Sequence, residues 1–192
     1  DDLRLTFDNL RTYDIKLNPK KCVFDVPVGK LMGFIVSGRG IEANPAKIRA
    51  LSQLDTPKDL KQIQKLTGCV AALSRFISRL GEKALPLYRL LRRTDHSEWT
   101  EATTAGLEEI KAILATNPVL AAPNMGEPML LYIAATHQVV SAVLVVERET
   151  DGHRFPLQKP VYYVSTVLTP CKSRYPHYQK IAYAVFMASR KL

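Results

Sequence analysis

Few side chains in this sequence have types and spacings suited to chemistry, and the most compact group lies near residue 150. Three carboxylates and an imidazole alternate there, Glu147, Glu149, Asp151 and His153. These groups bind divalent cations, so a metal site is one interpretation. The other is a solvated turn, because Asp151-Gly152 is typical of a hairpin. The turn is favoured, since a hairpin tip points away from the face of its sheet.

Other potential catalytic residues also have simpler interpretations. Asp1 and Asp2 are adjacent carboxylates, but they begin an amphipathic helix, whose N-terminus favours acidic residues. His137 and His177 are isolated, and single histidines are more often solvated or hydrogen-bonded than metal-binding. No Ser-His-Asp order, Cys-His pair or glycine-rich phosphate loop stands above chance.

The strongest chemical signal is electrostatic. The 192 residues carry a formal net charge of +9, with a pI near 9.5, which favours a polyanionic partner such as nucleic acid. One segment, residues 58–93, has nine basic and two acidic residues and so supplies +7 of that charge. The basic residues are Lys58, Lys61, Lys65, Arg75, Arg79, Lys83, Arg89, Arg92 and Arg93, and the acidic ones are Asp59 and Glu82.

The composition predicts a folded protein of a reducing compartment. Hydrophobic residues make up 46% of the chain and charged residues 23%, as in ordinary globular domains. Cys22, Cys69 and Cys171 have neither metal-ligand spacing nor even pairing. The sequence has no apolar run of membrane-spanning length and no charged-then-apolar leader, so we expect no membrane partner and no secretion.

The apolar run Leu31–Val36 is the element around which the N-terminal half is expected to fold. Its length predicts one buried strand, and Gly33 within it indicates a close backbone approach. Residues 15–26 before it have the pattern of an extended segment. Asn44 and Pro45 after it predict a helix start.

The next helix is predicted to open at Thr56-Pro57 and has two distinct sides at 100° per residue. One side is apolar and comprises Leu60, Ile63, Leu66, Val70, Leu73 and Ile77. The other comprises Lys61, Lys65, Gly68, Ala72 and Arg75. Lysines on that side could reach phosphates while the small residues let a duplex approach, and the alternative is a merely solvated face.

The C-terminal half changes from helical to strand patterns. Thr100 is a predicted helix cap, and strands are predicted over Met129–Ala135, Val139–Glu147 and Val161–Ser165. A helix is predicted over Tyr175–Leu192. The change of pattern near Trp99 indicates two modules, and we expect no single sheet to run through both.

Two N-terminal segments, Leu17–Cys22 (LNPKKC) and Lys30–Ile48 (KLMGFIVSGRGIEANPAKI), resemble the reverse transcriptases of gypsy-type LTR retrotransposons. The resemblance implies that the two segments pair, close the polymerase palm and grip the primer end. The implied primer-grip residues are Leu31, Met32, Gly33 and Phe34.

The two-sided helix resembles the thumb helix of the same family, which tracks the minor groove of the template–primer. Gln64–Gly68 matches its QKLxG segment. Ala72 stands where some members have tryptophan, which implies a weaker groove contact. The implied nucleic-acid-binding residues are Lys61, Gln64, Lys65, Gly68, Ala72 and Arg75.

From Trp99 onward the sequence is similar to the ribonuclease H region of these polyproteins, whose active members hold Mg²⁺ with several carboxylates. Alignment on Ala142–Leu144 places Ala134 at the first aspartate position, and Gln179 and Ile181 stand at the acidic positions of the following helix. None of the three is a carboxylate. The resemblance therefore implies no catalytic residue, metal or cofactor in this chain, although the intact family enzyme uses Mg²⁺. The polymerase Tyr-x-Asp-Asp motif is also absent.

These features together predict an α+β fold. Residues 1–42 would form a palm-end β-hairpin, residues 43–98 a helical thumb, and residues 99–192 a partial, degenerate RNase H-like domain with a mixed sheet and helices. The expected function is to bind and position an RNA–DNA or DNA duplex within the remainder of a Pol polyprotein. We expect an intracellular protein, in a cytoplasmic particle, the nucleus or both. The alternatives are a captured or decayed host interaction module and an active RNase H-type nuclease with unfamiliar ligands.

Overall fold

The computed structural model describes residues 2–24, 26–91, 99–150 and 152–191. Several residues used in the sequence analysis lie outside these ranges: Asp1, Arg92, Arg93, Asp151 and Leu192. No helix in the described ranges is both long enough and apolar enough to cross a membrane.

The N-terminal half contains a hairpin-based sheet and a set of short helices. Its strands are β1 (Val28–Leu31), β2 (Phe34–Ser37) and β3 (Gly40–Ala43). Its helices are α1 (Asp2–Thr12), α2 (Pro45–Ser52), α3 (Leu60–Ala72), α4 (Leu80–Lys83) and α5 (Leu85–Leu90), with 3₁₀ turns at Pro19–Lys21 and Ser74–Phe76.

The C-terminal half begins with a helix and then forms a second sheet. The helix is α6 (Glu101–Ala115), capped by Thr100, whose side chain accepts a hydrogen bond from the Thr103 amide as predicted. The strands are β4 (Val119–Leu120), β5 (Met129–Ala135), β6 (Val139–Arg148) and β7 (Leu157–Val167), followed by α7 (Pro170–Ser173) and α8 (His177–Lys191). The predicted α+β class is confirmed. The second sheet has the order β5-β6-β7, and its described pairs are antiparallel.

The run Leu31–Val36 is not one buried strand, so that prediction is wrong. Leu31 pairs directly with Phe34, which leaves Met32 and Gly33 as a two-residue hairpin loop. Their φ angles are 49° and 82°, the positive values of a type I′ turn. Leu31 is 63% exposed and Met32 is 89% exposed. The apolar run was misleading because Met32, an apolar residue, occupies a turn position where Asn or Asp is usual.

Within the described residues of the expected extended segment 15–26, a 3₁₀ turn at Pro19–Lys21 separates the extended residues Asn18 and Cys22, and no strand forms. Asn18 caps the 3₁₀ turn Pro19–Lys21 by accepting a hydrogen bond from the Lys20 amide. The implied pairing of Leu17–Cys22 with the hairpin is therefore wrong. In its place β3 pairs with β2. The local cap at Asn18 satisfies backbone groups that a strand would have paired.

The first sheet crosses the expected module boundary, which contradicts the prediction that no sheet joins the two halves. Its order is β1-β2-β3-β4, and β3 pairs with β4 through Ile41–Leu120 and Glu42–Val119. The main core is shared in the same way. It combines Leu66, Val70, Leu73 and Phe76 with Leu107, Ile110 and Leu114. The short helices before residue 91 thus complete their core with α6.

The second sheet is packed on both faces. On one face, Ala184 and Ala188 of α8 lie against residues from all three strands, including Ile133, Val140 and Val164. On the other face, α4 approaches so closely that the Gly81 amide donates a 2.8 Å hydrogen bond to Ser165 Oγ. A Cβ on Gly81 would lie 2.7 Å from Ser165 Oγ and from Val139 Cγ1, so only glycine fits.

The turn geometry leads to a test in which neighbouring substitutions have opposite effects. Gly33→Val should destabilise the protein by about 1–2 kcal/mol, because a β-branched residue is strained at positive φ. Met32→Asn should raise the melting temperature, because Asn tolerates this conformation better. Thermal melting followed by circular dichroism measures both. A Gly33→Val protein as stable as wild type would contradict the turn assignment.

Candidate nucleic-acid interface

Helix α3 begins at Leu60 because Asp59 caps it. The Asp59 carboxylate accepts a 2.7 Å hydrogen bond from the Gln62 amide, and the Gln62 side chain in turn accepts one from the Lys58 amide. This reciprocal cap satisfies backbone donors at the helix start. The predicted start at Thr56-Pro57 was therefore too early.

The packing of α3 leaves one polar side in solvent. Leu66 and Val70 are buried in the core. Five of the predicted nucleic-acid-binding residues are exposed on the helix, and we call them the α3 surface: Lys61, Gln64, Lys65, Gly68 and Ala72.

The α3 surface is positively charged and partly flat. Helix α3 contains no acidic residue. Neither Lys61 nor Lys65 takes part in an ion pair with another described residue. Apart from the backbone of α3 itself and the neighbouring residues, no heavy atom lies within 4 Å of the position that a Cβ on Gly68 would occupy, so the helix backbone is accessible there. This arrangement can bring two ammonium groups and a bare helix backbone against a polyanion.

Arg75 does not belong to the α3 surface, which corrects the prediction that it shares a helix side with Lys61 and Lys65. The helix ends at Ala72, and Arg75 lies in the 3₁₀ turn that follows. Its Cζ atom is 4.5 Å from the ring centroid of Phe34 and 5.0 Å from that of Tyr162. Helical periodicity no longer applies beyond Ala72, so the sequence could not place this side chain.

The four predicted primer-grip residues occupy the hairpin end but face different ways. Leu31 and Met32 are exposed, and Gly33 provides the turn. Phe34 packs inward, with its ring 5.8 Å from that of the buried Phe76. Lys47 Nζ lies 5.6 Å from the Phe34 centroid. The hairpin end therefore presents apolar side chains to solvent and is held to the core through Phe34.

The three positions that correspond to metal ligands in the ribonuclease H family do not form one pocket here. Ala134 pairs across the sheet with Ser141, and Ser141 pairs with Ser165, so all three lie on the face that α4 contacts. Gln179 and Ile181 lie on α8, which packs against the opposite face through Ala184. Side chains alternate between faces along a strand, so Ala134 is separated from α8 by the sheet.

No metal centre is visible in the described ranges, where no three His, Cys, Asp or Glu side chains are grouped to hold an ion. Of the carboxylates near residue 150, Glu147 accepts a 3.0 Å hydrogen bond from Gln158 on the neighbouring strand, while Asp151 lies outside the described residues. The residues at the three ribonuclease positions do not suit Mg²⁺ either. Ala134 and Ile181 offer no oxygen, and Gln179 offers only a neutral amide.

Two polar contacts in the C-terminal half had no signal in the sequence. Arg148 on β6 forms two hydrogen bonds with the Glu127 carboxylate, at 2.8 and 2.7 Å, and a third with the Ala122 carbonyl. Lys180 is only 6% exposed, and its Nζ donates a 3.0 Å hydrogen bond to the His137 carbonyl. Both contacts join residues far apart in the chain, so periodicity could not reveal them.

A comparison with protein families matches residues 99–192 to the RNase H-like domain found in reverse transcriptase. Residues 99–192 are therefore similar to that domain, and we call them the RNase H-like half. The chain also has transposon Pol polyproteins among its relatives. It is 26% identical over 195 residues to the Retrovirus-related Pol polyprotein from transposon opus of Drosophila melanogaster, covering 96% of this chain and 19% of the relative. It is 28% identical over 166 residues to the Transposon Tf2-3 polyprotein of Schizosaccharomyces pombe, covering 86% and 12%. The chain therefore spans less than a fifth of either relative.

Solved structures show the same fold. The foamy viral protease-reverse transcriptase in complex with an RNA/DNA hybrid superposes with a TM-score of 0.72 at 21% identity, covering 90% of this chain and 23% of the viral chain. The same protein in complex with dsDNA gives a TM-score of 0.69 at 22% identity, covering 90% and 35%. At this identity the likeness establishes the α+β architecture of the RNase H-like half together with the segment before it.

The Arg148–Glu127 pair predicts a pH dependence of stability. The Arg148 guanidinium, followed by the Asn124 amide, lowers the pKa of Glu127 from 4.5 to about 2. A lowered pKa stabilises the folded protein above pH 4.5, and this contribution is lost as the pH falls from 4.5 towards 2. Glu127→Gln should therefore melt at a lower temperature than wild type at pH 7, and the difference should shrink by pH 3.

The control for this pH test is Glu149→Gln, which removes an exposed carboxylate from the neighbouring hairpin. Its melting temperature should follow that of wild type across the range. If Glu127→Gln and wild type differed by the same amount at pH 7 and pH 3, the pair would not be the cause.

Proposed function

We propose that this chain is the duplex-positioning segment of a gypsy-type retrotransposon Pol polyprotein, binding an RNA–DNA or DNA duplex through the α3 surface and the β1–β2 hairpin end. The single observation that carries the proposal is the α3 surface itself. Lys61 and Lys65 are exposed one turn apart and have no acidic partner among the described residues. Like charges at this spacing slightly destabilise a helix, so a polyanionic ligand gives the arrangement a purpose.

The comparisons support the proposal at a coarser level. The relatives are transposon Pol polyproteins, and the foamy viral reverse transcriptase of the same fold is in complex with an RNA/DNA hybrid or dsDNA. The duplex class is inferred from them and from the charge of this chain. Phosphate contacts carry no base information, so binding should show little sequence preference.

The functional division follows residues 1–42, 43–98 and 99–192, as palm end, thumb and RNase H-like part. These ranges describe separate roles and not separately folding units, because α6 completes the core of the thumb helices. The rest of the polyprotein would supply polymerase catalysis. We also propose an intracellular location, in a cytoplasmic particle, the nucleus or both, because such polyproteins act on nucleic acid.

The binding proposal is tested by charge reversal on the α3 surface. Lys61→Glu combined with Lys65→Glu should weaken binding to an RNA–DNA hybrid by about tenfold or more at low salt. It should also reduce the slope of log K against log salt by about 2, because two phosphate contacts are lost. Fluorescence anisotropy with hybrids and DNA duplexes of several sequences measures both effects.

The matched control for charge reversal is Arg4→Glu with Lys16→Glu, an equal change at exposed residues of α1 and of the connection that follows it. We expect it to retain most of the affinity. An α3 double variant with the affinity and salt slope of wild type would show that this face is only solvated.

The RNase H-like half is proposed to be catalytically inactive in this chain. Ala134 lacks an oxygen ligand and lies on the α4 face of the sheet, whereas Gln179 and Ile181 are on the opposite side. None of the three side chains is a carboxylate, so the convergence of carboxylates that two-metal catalysis requires is absent from these positions.

Inactivity is tested by incubating the purified chain with an RNA–DNA hybrid and Mg²⁺, in parallel with an active ribonuclease H. We expect no cleavage above a mock purification. Ala134→Asp combined with Ile181→Glu should not restore it, because the new carboxylates lie on opposite faces of the sheet. Mg²⁺-dependent cleavage that co-purifies with the wild-type chain through stringent chromatography would overturn the proposal.

A further inference from the structure

The guanidinium group of Arg75 lies over two aromatic rings that belong to different parts of the fold. Its Cζ atom is 4.5 Å from the centroid of Phe34 and 5.0 Å from the centroid of Tyr162. Among the described residues, no carboxylate forms an ion pair with Arg75. The two rings are therefore its principal partners.

The two rings anchor separate elements. Phe34 is the first residue of β2, immediately after the Met32-Gly33 turn, and its ring packs against Phe76 of the main core. Tyr162 is on β7 of the second sheet, where it packs with Ala142 and Val164 beside α8. One side chain thus connects the hairpin to the RNase H-like domain.

An arginine suits this connection better than a lysine would. The guanidinium is planar and weakly hydrated, so it stacks on aromatic faces, whereas an ammonium keeps a tight hydration shell. The attraction between cation and ring grows as water is excluded, and Arg75 is half-buried between the two elements.

We propose that Arg75 is a positioning residue that fixes the β1–β2 hairpin relative to the RNase H-like domain, and that it is not a phosphate ligand of the α3 surface. The consequence for duplex binding rests on the function proposed above, since the hairpin end must be held where the duplex passes. The effect on the hairpin does not depend on that function.

The variants separate stacking from charge. Arg75→Lys keeps the charge but loses the planar group. Tyr162→Leu removes one ring, while Tyr162→Phe keeps the ring and serves as the matched control. If stacking is what matters, Arg75→Lys and Tyr162→Leu behave alike, and Tyr162→Phe behaves as wild type.

The first measurement is amide hydrogen exchange in the free protein. In Arg75→Lys and in Tyr162→Leu, the amides of residues 29–36 should exchange about three- to tenfold faster than in wild type. The amides of α3 should be unchanged, which distinguishes a released hairpin from general destabilisation. The double variant Arg75→Lys with Tyr162→Leu should exchange no faster than either single variant, because each substitution removes the same contact. Unchanged hairpin exchange in Arg75→Lys would overturn the proposal, as would an equal increase in α3.

The second measurement is the affinity for an RNA–DNA hybrid at several salt concentrations. Arg75→Lys and Tyr162→Leu should each weaken binding about three- to tenfold without changing the slope of log K against log salt. Arg75→Lys binding as wild type, together with a slope reduced by about 1 in Arg75→Met, would identify Arg75 as a direct phosphate ligand and refute the positioning role. If the wild-type chain bound no duplex, the proposed function would fail, and the exchange experiment would still decide the role of Arg75.

Discussion

Burial of the apolar side of α3 in a core to which α6 also contributes is the interaction on which the other features of this structure depend. Leu66 and Val70 of α3 share one core with Leu107, Ile110 and Leu114 of α6. A helix of 13 residues is marginal in isolation, so α3 is stable because of this packing rather than its own propensity. The helix that carries the proposed duplex contacts is thus stabilised by a core to which a helix far along the chain contributes.

This packing also determines which side of α3 meets solvent. With Leu66 and Val70 fixed in the core, the side of Lys61, Lys65 and Gly68 must point outward. The same core holds Phe34 through Phe76, so the hairpin end and the α3 surface are set by one body of apolar side chains. Because one core fixes both the α3 surface and the hairpin end, the two suit a rigid ligand such as a duplex better than a flexible one.

In the RNase H-like half, the second sheet lies between residues that correspond to metal ligands of one site in the family pattern. Ala134, Gln179 and Ile181 stand at comparable positions in the family pattern, yet Ala134 lies on the α4 face and α8 covers the other. The approach of α4 at Gly81, which admits no Cβ, places part of the thumb helices against that face. Packing with the preceding segment thus occupies one face of this sheet.

The sequence by itself determined the local features of this protein. The caps Asn44 and Thr100, the strand Met129–Ala135 and the polar side of α3 were all readable, because caps and periodicity report on neighbouring residues. The exposure of most of the implied nucleic-acid-binding residues could be predicted from the same helical periodicity.

Only the tertiary structure decided the turn at Met32-Gly33, the β3–β4 pairing, the partners of Arg75 and the face on which Ala134 lies. An apolar run gives no sign of positive φ at a methionine. The other three depend on which distant segments pack together. That choice is made by the whole apolar core, and no window of sequence contains it.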